Sequence, residues 1–239
     1  MDVPAGPEKR SFVRRKFAAV TGRYDLLNTL LSLGIDRRWR RAAALEAAGA
    51  PPGPVLDLCA GTLPLSAAIV RAGAGPVAAV DFCLDMLREG TARMRRRPEG
   101  ARIHPACGDG ERLPLADASV AAVTVAFGVR NLADLRRGLA EMHRVLVPGG
   151  KAVILEFSRP ENPAFAPLYR FYLHRVLPAV AGAISGDAEA YRYLADSIEA
   201  FASPAELAAL MEAAGFRDVR CRPLTLGVVT LTTAWKEGR

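Results

Sequence analysis

The sequence predicts an α/β fold: a mainly parallel, seven-stranded sheet that ends in a C-terminal antiparallel hairpin. Three observations lead there. Short, near-continuous apolar runs alternate with helical stripes from about Pro54 onward, the pattern of strands covered on both faces. Small or acidic residues stand just past the ends of those runs. The last stretch departs from the alternation, placing two strand-like runs after a single helix. No internal repeat or low-complexity linker divides the chain. It reads as one domain with an N-terminal helical segment (8–50), a central sheet-bearing half (51–157), a helical insert (158–200) and a C-terminal helix and hairpin (201–239).

Taken in order, Val55-Leu56-Asp57-Leu58-Cys59 is the first strand and runs into the small-residue turn Ala60-Gly61-Thr62. Pro64 to Ala72 is a helix with proline in its first turn, where the missing N–H has no partner to lose. Val77 to Val80 is the second strand, closed by Asp81, and Arg102 to Ala106 the third, followed by Cys107-Gly108-Asp109-Gly110. Ala121 to Phe127 is the fourth. A helical stripe of Leu135, Leu139, Met142, Val145 and Leu146 stops at Pro148-Gly149-Gly150, and Ala152 to Phe157 is the fifth strand. Ser203-Pro204-Ala205-Glu206 is a capping box that opens a helix closed by Gly215. Val219 to Arg222 and Val228 to Ala234 are the hairpin strands at the sheet's edge.

The composition, 51% hydrophobic and 24% charged over 239 residues, excludes a disordered chain. Four widely spaced cysteines form no CxxC pair, which argues against a zinc finger or a disulfide scaffold and fits a reducing cytoplasm. No segment approaches the ~20 apolar residues of a membrane span, and none reads as a signal peptide. The net charge of +7 permits an anionic partner, nucleic acid or membrane surface. Only four of the 32 basic residues are lysine, so part of the basicity is what a GC-rich genome writes. Lys9 to Lys16, Arg37 to Arg41 around Trp39, and Arg93 to Arg97 remain as clusters, and solvated helix faces account for such runs as readily as a partner does.

In an open parallel sheet, ligands bind beyond the carboxyl ends of the strands near the switch point of strand order. Asp57 and Gly61-Thr62 follow the first strand, Asp81 the second, Asp109-Gly110 the third and Phe127-Gly128 the fourth. A small-residue turn lets backbone approach a ligand, and an acidic residue at the next strand end accepts bonds from ribose hydroxyls. Neither GxGxxG nor GxxxxGK[ST] occurs, which disfavours dinucleotides and triphosphates. A nucleoside without phosphates fits better, and S-adenosylmethionine is the leading candidate cofactor.

Several stretches together resemble one family. Arg23-Tyr24-Asp25-Leu26-Leu27-Asn28 with Leu33 to Trp39, Val55 to Thr62, Phe127-Gly128-Val129-Arg130-Asn131, Arg144 to Gly150, Leu155-Glu156-Phe157-Ser158, and Asp187 to Leu194 with Ser197-Ile198 occur in this order. In them the chain resembles the ubiquinone/menaquinone-biosynthesis C-methyltransferase family (UbiE/MenG type) from about Phe17 to Lys236. The resemblance implies a class I S-adenosylmethionine-dependent methyltransferase fold. It also implies methyl transfer to a ring carbon of a prenylated quinol; naphthoquinol and benzoquinol both remain open, with demethylmenaquinol preferred. Carried over by position, it gives Thr62, Asp81, Asp109 and Gly110 as cofactor residues, beside Asp57 and Gly61. Asp81 would take the ribose, and Asp109 with Gly110 would face the adenine.

Two departures from the family pattern stand out. Gly61-Thr62-Leu63-Pro64 replaces the usual Gly-Thr-Gly-Asp, so a leucine is expected to crowd the methionine end and a carboxylate is missing. Ala126 stands where some relatives carry serine.

Carbon methylation needs a phenolate, because a ring carbon is a poor nucleophile until a neighbouring hydroxyl loses its proton. Arg130 and Asn131 are the candidates to favour that phenolate, with Arg130 acting as a charge or by polarising a water, since a guanidinium stays protonated. Tyr24 is a third candidate, with an ordinary core tyrosine as the competing reading. The scattered histidines His104, His143 and His174 have no metal-ligand spacing, and no metal is assigned. Cys59, Cys83 and Cys107 follow neighbouring strands, so they are expected to lie close together behind the cofactor or simply to pack.

The insert concentrates Phe165, Leu168, Tyr169, Phe171, Tyr172, Val176, Leu177 and Val180. It reads either as an apolar cover for a prenyl tail, opening toward an anionic membrane, or as ordinary helix packing. The first reading adds peripheral contact with the inner face of the plasma membrane to the cytoplasmic location that the cysteines suggest; a homo-oligomer stays open. The rival functions are a nucleic-acid methyltransferase, suggested by the charge, a cofactor-binding subunit without catalysis, suggested by Leu63-Pro64, and a methyltransferase for another small phenol. No Asn-Pro-Pro-Tyr-type motif supports the first.

Overall fold

Val55–Leu58 (β1), Val77–Asp81 (β2), Ile103–Cys107 (β3), Val120–Ala126 (β4) and Leu146–Phe157 (β5) are parallel neighbours. The apolar runs of β1, β2, β4 and β5 are largely buried, whereas β3 is an edge strand exposed at four of its five residues. Phe216–Leu224 (β6) and Val229–Lys236 (β7) complete a seven-stranded sheet of order β3-β2-β1-β4-β5-β7-β6. β7 returns antiparallel between β5 and β6, so β6 forms the outer edge. The computed structural model describes residue 29, residues 32–185 and residues 188–238.

Among the described residues the α-helices are Asp36–Ala48 (α1), Pro64–Arg71 (α2), Leu84–Met94 (α3), Leu135–Val145 (α4), Ala166–Phe171 (α5), Leu177–Ser185 (α6), Ala188–Ala200 (α7) and Pro204–Ala213 (α8). Trp39, Ala43, Ala44 and Ala47 of α1, Leu65 and Ile69 of α2 and Leu87 and Met94 of α3 bury one face of the sheet. Leu139, Met142 and Val145 of α4 with Leu207 and Met211 of α8 bury the other. Strands β1 and β4 are buried on both faces, which explains why their sequences do not alternate. The insert has a small core of its own, formed by Leu173, Leu177, Ala181, Tyr191, Ala195 and Ile198.

Several sequence expectations shift in detail. The predicted capping box is present: Ser203 Oγ accepts from Glu206 N at 3.3 Å and Ser203 N donates to Glu206 Oε2 at 2.7 Å. Pro148-Gly149-Gly150 does not separate a helix from a strand, because β5 already begins at Leu146 and the register slips beside Ala122. Gly149 takes φ +77° in that irregularity, and a Cβ on Gly150 would stand 3.1 Å from the Ala121 carbonyl. Lys236, at the end of β7, donates to the carbonyls of His143 at 2.9 Å and Leu146 at 2.7 Å, so a cation satisfies the C-terminal end of α4.

The topology reverses between β1 and β4. From β1 the chain winds outward to β2 and β3 on one side, while β4 and β5 lie on the other. The ends of β1 and β4 thus open a crevice at the switch point.

Candidate cofactor cleft

Three residues without glycine's freedom take left-handed backbone conformations at this crevice: Cys59 (φ 55°), Leu63 (φ 69°) and Phe127 (φ 60°). Each conformation costs about 1 kcal/mol for an L-residue, and such strain concentrates where surrounding packing holds it. Gly128 explains why the two turns fit together. A Cβ there would lie 2.3 Å from Cys59 Cβ, so the glycine after β4 is what lets the β1 turn come so close.

A cleft lies between these turns. Among the predicted residues it is lined by Asp57, Gly61, Thr62, Asp81 and Asn131, joined by Phe82, Met86, Phe127 and Arg40. Asp81 is buried; its Oδ2 accepts from Gly61 N at 2.8 Å and its Oδ1 from Cys83 N at 2.7 Å. Burial raises its carboxyl above the ordinary value, against the lowering effect of these backbone bonds. Asp57 is fully buried, and desolvation pushes it up to about 7, although Ser66 and Thr124 donate to it. Burial also raises the Cys59 thiol, which disfavours a reactive thiolate.

Leu63 corrects one expectation. Its side chain is fully buried and is absent from the cleft lining, so it does not crowd the cofactor. It keeps the positive φ that a glycine would have supplied and turns toward α3, where Gly90 leaves room. Pro64 does line the cleft.

Arg130 and Asn131 share a single 3₁₀ turn but face differently. The Arg130 guanidinium is buried behind the cleft wall and does not line it. It donates to Glu156 Oε1 and to the Phe127 carbonyl, each at 2.6 Å, and lies over the Phe157 ring. The expected direct contact with a substrate oxygen is therefore not what this arrangement offers. Asn131 does line the cleft, and its Oδ1 accepts from Tyr193 OH of the insert at 3.3 Å. Asp109 and Gly110 follow β3 but stand outside the cleft lining. Asp109 Oδ1 caps its own turn by accepting from Glu111 N, and Gly110 is packed where a Cβ would meet Leu132 and Leu58 at 3.1 and 3.2 Å. Tyr24 and Lys9 to Lys16 lie outside the described residues.

Cys59 and Cys83 both line the cleft, whereas Cys107 is exposed on the edge strand, so the three cysteines do not form a set. Among the described residues no group of three or more His, Cys, Asp or Glu is arranged to hold a metal.

One side chain of the cleft wall is hidden in a charge run. Of Arg37 to Arg41, Arg37, Arg38 and Arg41 are exposed, but Arg40 is 8% exposed and lines the cleft. It pairs with Asp36 and lies 5.3 Å from the Phe127 ring centroid. The i,i+4 pair Asp36–Arg40, with alanines at 43, 44 and 47 on the same face, was the available signal.

The comparisons with known proteins bear on the family and the fold. The sequence model of the ubiE/COQ5 methyltransferase family matches residues 5–236. The chain belongs to that family. A protein named demethylmenaquinone methyltransferase from Mycolicibacterium vanbaalenii is 49% identical over 94% of each chain. The ubiquinone/menaquinone biosynthesis C-methyltransferase UbiE of Syntrophotalea carbinolica is 47% identical over 91% of each. In fold, an S-adenosylmethionine-dependent methyltransferase from Aquifex aeolicus superposes with a TM-score of 0.61 at 18% identity, covering 88% of this chain and 97% of that one.

The family member described here is thus an S-adenosylmethionine-dependent methyltransferase with the class I fold. The cleft suits that cofactor: carboxylates for hydroxyls and cationic centres, apolar walls from Met86, Phe82 and Phe127, and, among the described residues, no cluster of cations for phosphate.

Proposed function

We propose that this enzyme methylates a ring carbon of a prenylated quinol, with demethylmenaquinol as substrate and menaquinol as product. The observation that carries the reading is the 49% identity, along 94% of both chains, to a protein named for that reaction. Benzoquinol methylation in the ubiquinone pathway is the second reading, favoured by the likeness to UbiE, whose name covers both quinones.

S-adenosylmethionine supplies an electrophilic methyl group, and the protein's task is to hold and activate the acceptor. Asp81 is assigned to the ribose and Thr62, Gly61 and Asp57 to the rest of the cofactor at the β1 turn; Asp109 and Gly110 keep their assignment to the adenine side beyond β3. Asn131 spends its Oδ1 on Tyr193, which leaves its NH2 group for the quinol oxygen. A donor at that oxygen favours the phenolate and so makes the neighbouring ring carbon nucleophilic. Arg130 acts one layer back: through Glu156 and the Phe127 carbonyl it fixes the turn that aims Asn131. Tyr24 is assigned to the same oxygen.

The insert supplies the substrate side. Tyr193 and Ser197 of α7 tie it to the Asn131 turn, and beside it opens a groove with Tyr169, Phe171, Leu173 and Ile198 on its walls and Arg159, Arg170, His174, Arg175 and Glu199 also lining it. Its apolar walls suit a prenyl tail. Leu168 and Phe171 stay 63% and 59% exposed beside Arg159, Arg170 and Arg175. An apolar patch with a basic rim suits peripheral contact with an anionic bilayer. Among the described residues no helix is long and apolar enough to cross one.

The test is direct transfer. Purified enzyme, chemically reduced demethylmenaquinone and S-adenosylmethionine carrying a ¹³C methyl group should yield a quinone with the label on a ring carbon. Label on oxygen, or no transfer by enzyme that binds the cofactor, would reject the assignment.

A further inference from the structure

We infer that Arg40 holds the carboxylate at the amino-acid end of the bound cofactor. Its guanidinium sits in the cleft wall with more than nine-tenths of its surface buried, yet Nε has no hydrogen-bond partner. NH1 is used by Asp36, and the flat face lies against Phe127. A buried charged donor left unpaired is costly, so a site that retains one is built for an acceptor that arrives from outside.

The surrounding chemistry narrows the acceptor to a carboxylate. Among the described residues lining the cleft, Arg40 is the one cation, while Asp57 and Asp81 are the acids. Asp81 ends β2, on the side assigned to the ribose. Asp57, Phe127 and Arg40 gather around β1 and β4, one and two strands further along. S-adenosylmethionine continues from its ribose into a zwitterionic amino acid, which needs both an acidic and a basic neighbour. Residues 60–65 of the intervening turn carry no charged side chain, so the charges must come from elsewhere. Asp57 on β1 and Arg40 on α1 are an acid and a base on one cleft, matching ammonium and carboxylate. Arginine suits the role because its planar fork meets a carboxylate with two parallel N–H bonds.

The inference separates from the quinol assignment because it concerns the cofactor alone. Calorimetric titration of the full chain with S-adenosylmethionine and with its decarboxylated analogue tests it. Wild-type enzyme should bind the analogue roughly ten- to a hundredfold more weakly, the range for a charge-assisted hydrogen bond. Arg40→Gln should weaken S-adenosylmethionine by a similar factor and bind both ligands alike. Arg40→Lys should fall between and keep part of the discrimination. If wild type does not discriminate, the inference fails. It fails equally if Arg40→Gln keeps the wild-type ratio, or if it alters only the KM for quinol, which would place Arg40 at the acceptor oxygen. Should Arg40→Gln not fold, Arg40→Met, which keeps the stem and removes the charge, takes its place: a methionine variant with the full wild-type ratio overturns the inference.

Discussion

Leu63 occupies the space that a side chain at Gly90 would need: a Cβ on Gly90 would stand 2.8 Å from Leu63 Cγ and 2.7 Å from the Thr62 carbonyl carbon. The cofactor turn and α3 are thus fitted to each other, and the leucine is part of the fit. Its left-handed φ costs about 1 kcal/mol, whereas burying a leucine returns roughly 1.5–3 kcal/mol. Burial wins, which is why a leucine is tolerated where the backbone wants glycine.

Leu63→Gly should accordingly destabilise the enzyme, by about 2 kcal/mol, even though it relieves the strain, because the cavity outweighs the torsion. Gly90→Ala should cost about 1–3 kcal/mol by overpacking, and should also weaken S-adenosylmethionine by displacing Thr62. Urea unfolding and cofactor titration of both variants check this. A stabilised Leu63→Gly would contradict the packing account.

Asp57 gives a pH dependence. Its carboxyl rises from 3.8 to about 7 in the folded chain, chiefly through burial. The folded state therefore holds this proton more tightly than the unfolded one. The resulting stabilisation is full below about 3.8 and is lost as pH rises through about 7. Asp57→Asn lacks the term, so its melting temperature should gain on wild type between about pH 5 and 8. A constant difference over that range would refute the assignment. Because a cationic cofactor favours the ionised carboxylate, wild type should also release protons on binding near pH 6.5, seen as an enthalpy that depends on the buffer.

Arg130 and Glu156 are a buried pair, 4% and 3% exposed at their side chains. Glu156→Leu or Arg130→Leu alone strands a charge and should cost about 3–5 kcal/mol. The double Leu variant should cost clearly less than the sum, because no charge remains unpaired. Strict additivity in denaturant melts would show that the two side chains do not act together.

Asn131→Ala should lower kcat about a hundredfold, the scale of a lost oxyanion donor, with the Kd for S-adenosylmethionine changed less than twofold. Tyr193→Phe should lower it less, by no more than about tenfold, since it frees the Asn131 carbonyl but leaves the Asn131 NH2 group in place. Single-turnover methyl transfer separates the two. An unaltered kcat in Asn131→Ala would remove Asn131 from the chemistry.

The exposed Leu168 and Phe171 should drive attachment to vesicles rich in phosphatidylglycerol. Replacing both by serine should reduce flotation more than tenfold, since each large apolar side chain contributes roughly 1.5–3 kcal/mol when buried. Equal flotation of both forms would shift membrane contact to another surface.

The sheet was readable because β1, β4 and β5 carry apolar runs too short and too β-branched for helices, each closed by a small or acidic residue. The β5 start was not, because Pro148-Gly149-Gly150 looks like a stop and acts as a kink within a strand. Asp57, Gly61, Thr62, Asp81 and Asn131 were legible as strand-end residues, and they do converge on one cleft. Arg40 was not, since a run of arginines hides the one that turns inward until the helix phase is known. The direction of Leu63 depends on a glycine 27 positions away, and no local pattern states that pairing.

The most direct measurement is complementation of a bacterial host lacking its own quinone C-methyltransferase, with the extracted quinones read by mass spectrometry. The account predicts that demethylmenaquinone is replaced by menaquinone when this enzyme is expressed, and persists with Asn131→Ala. Unchanged demethylmenaquinone beside a folded enzyme that binds S-adenosylmethionine would contradict it.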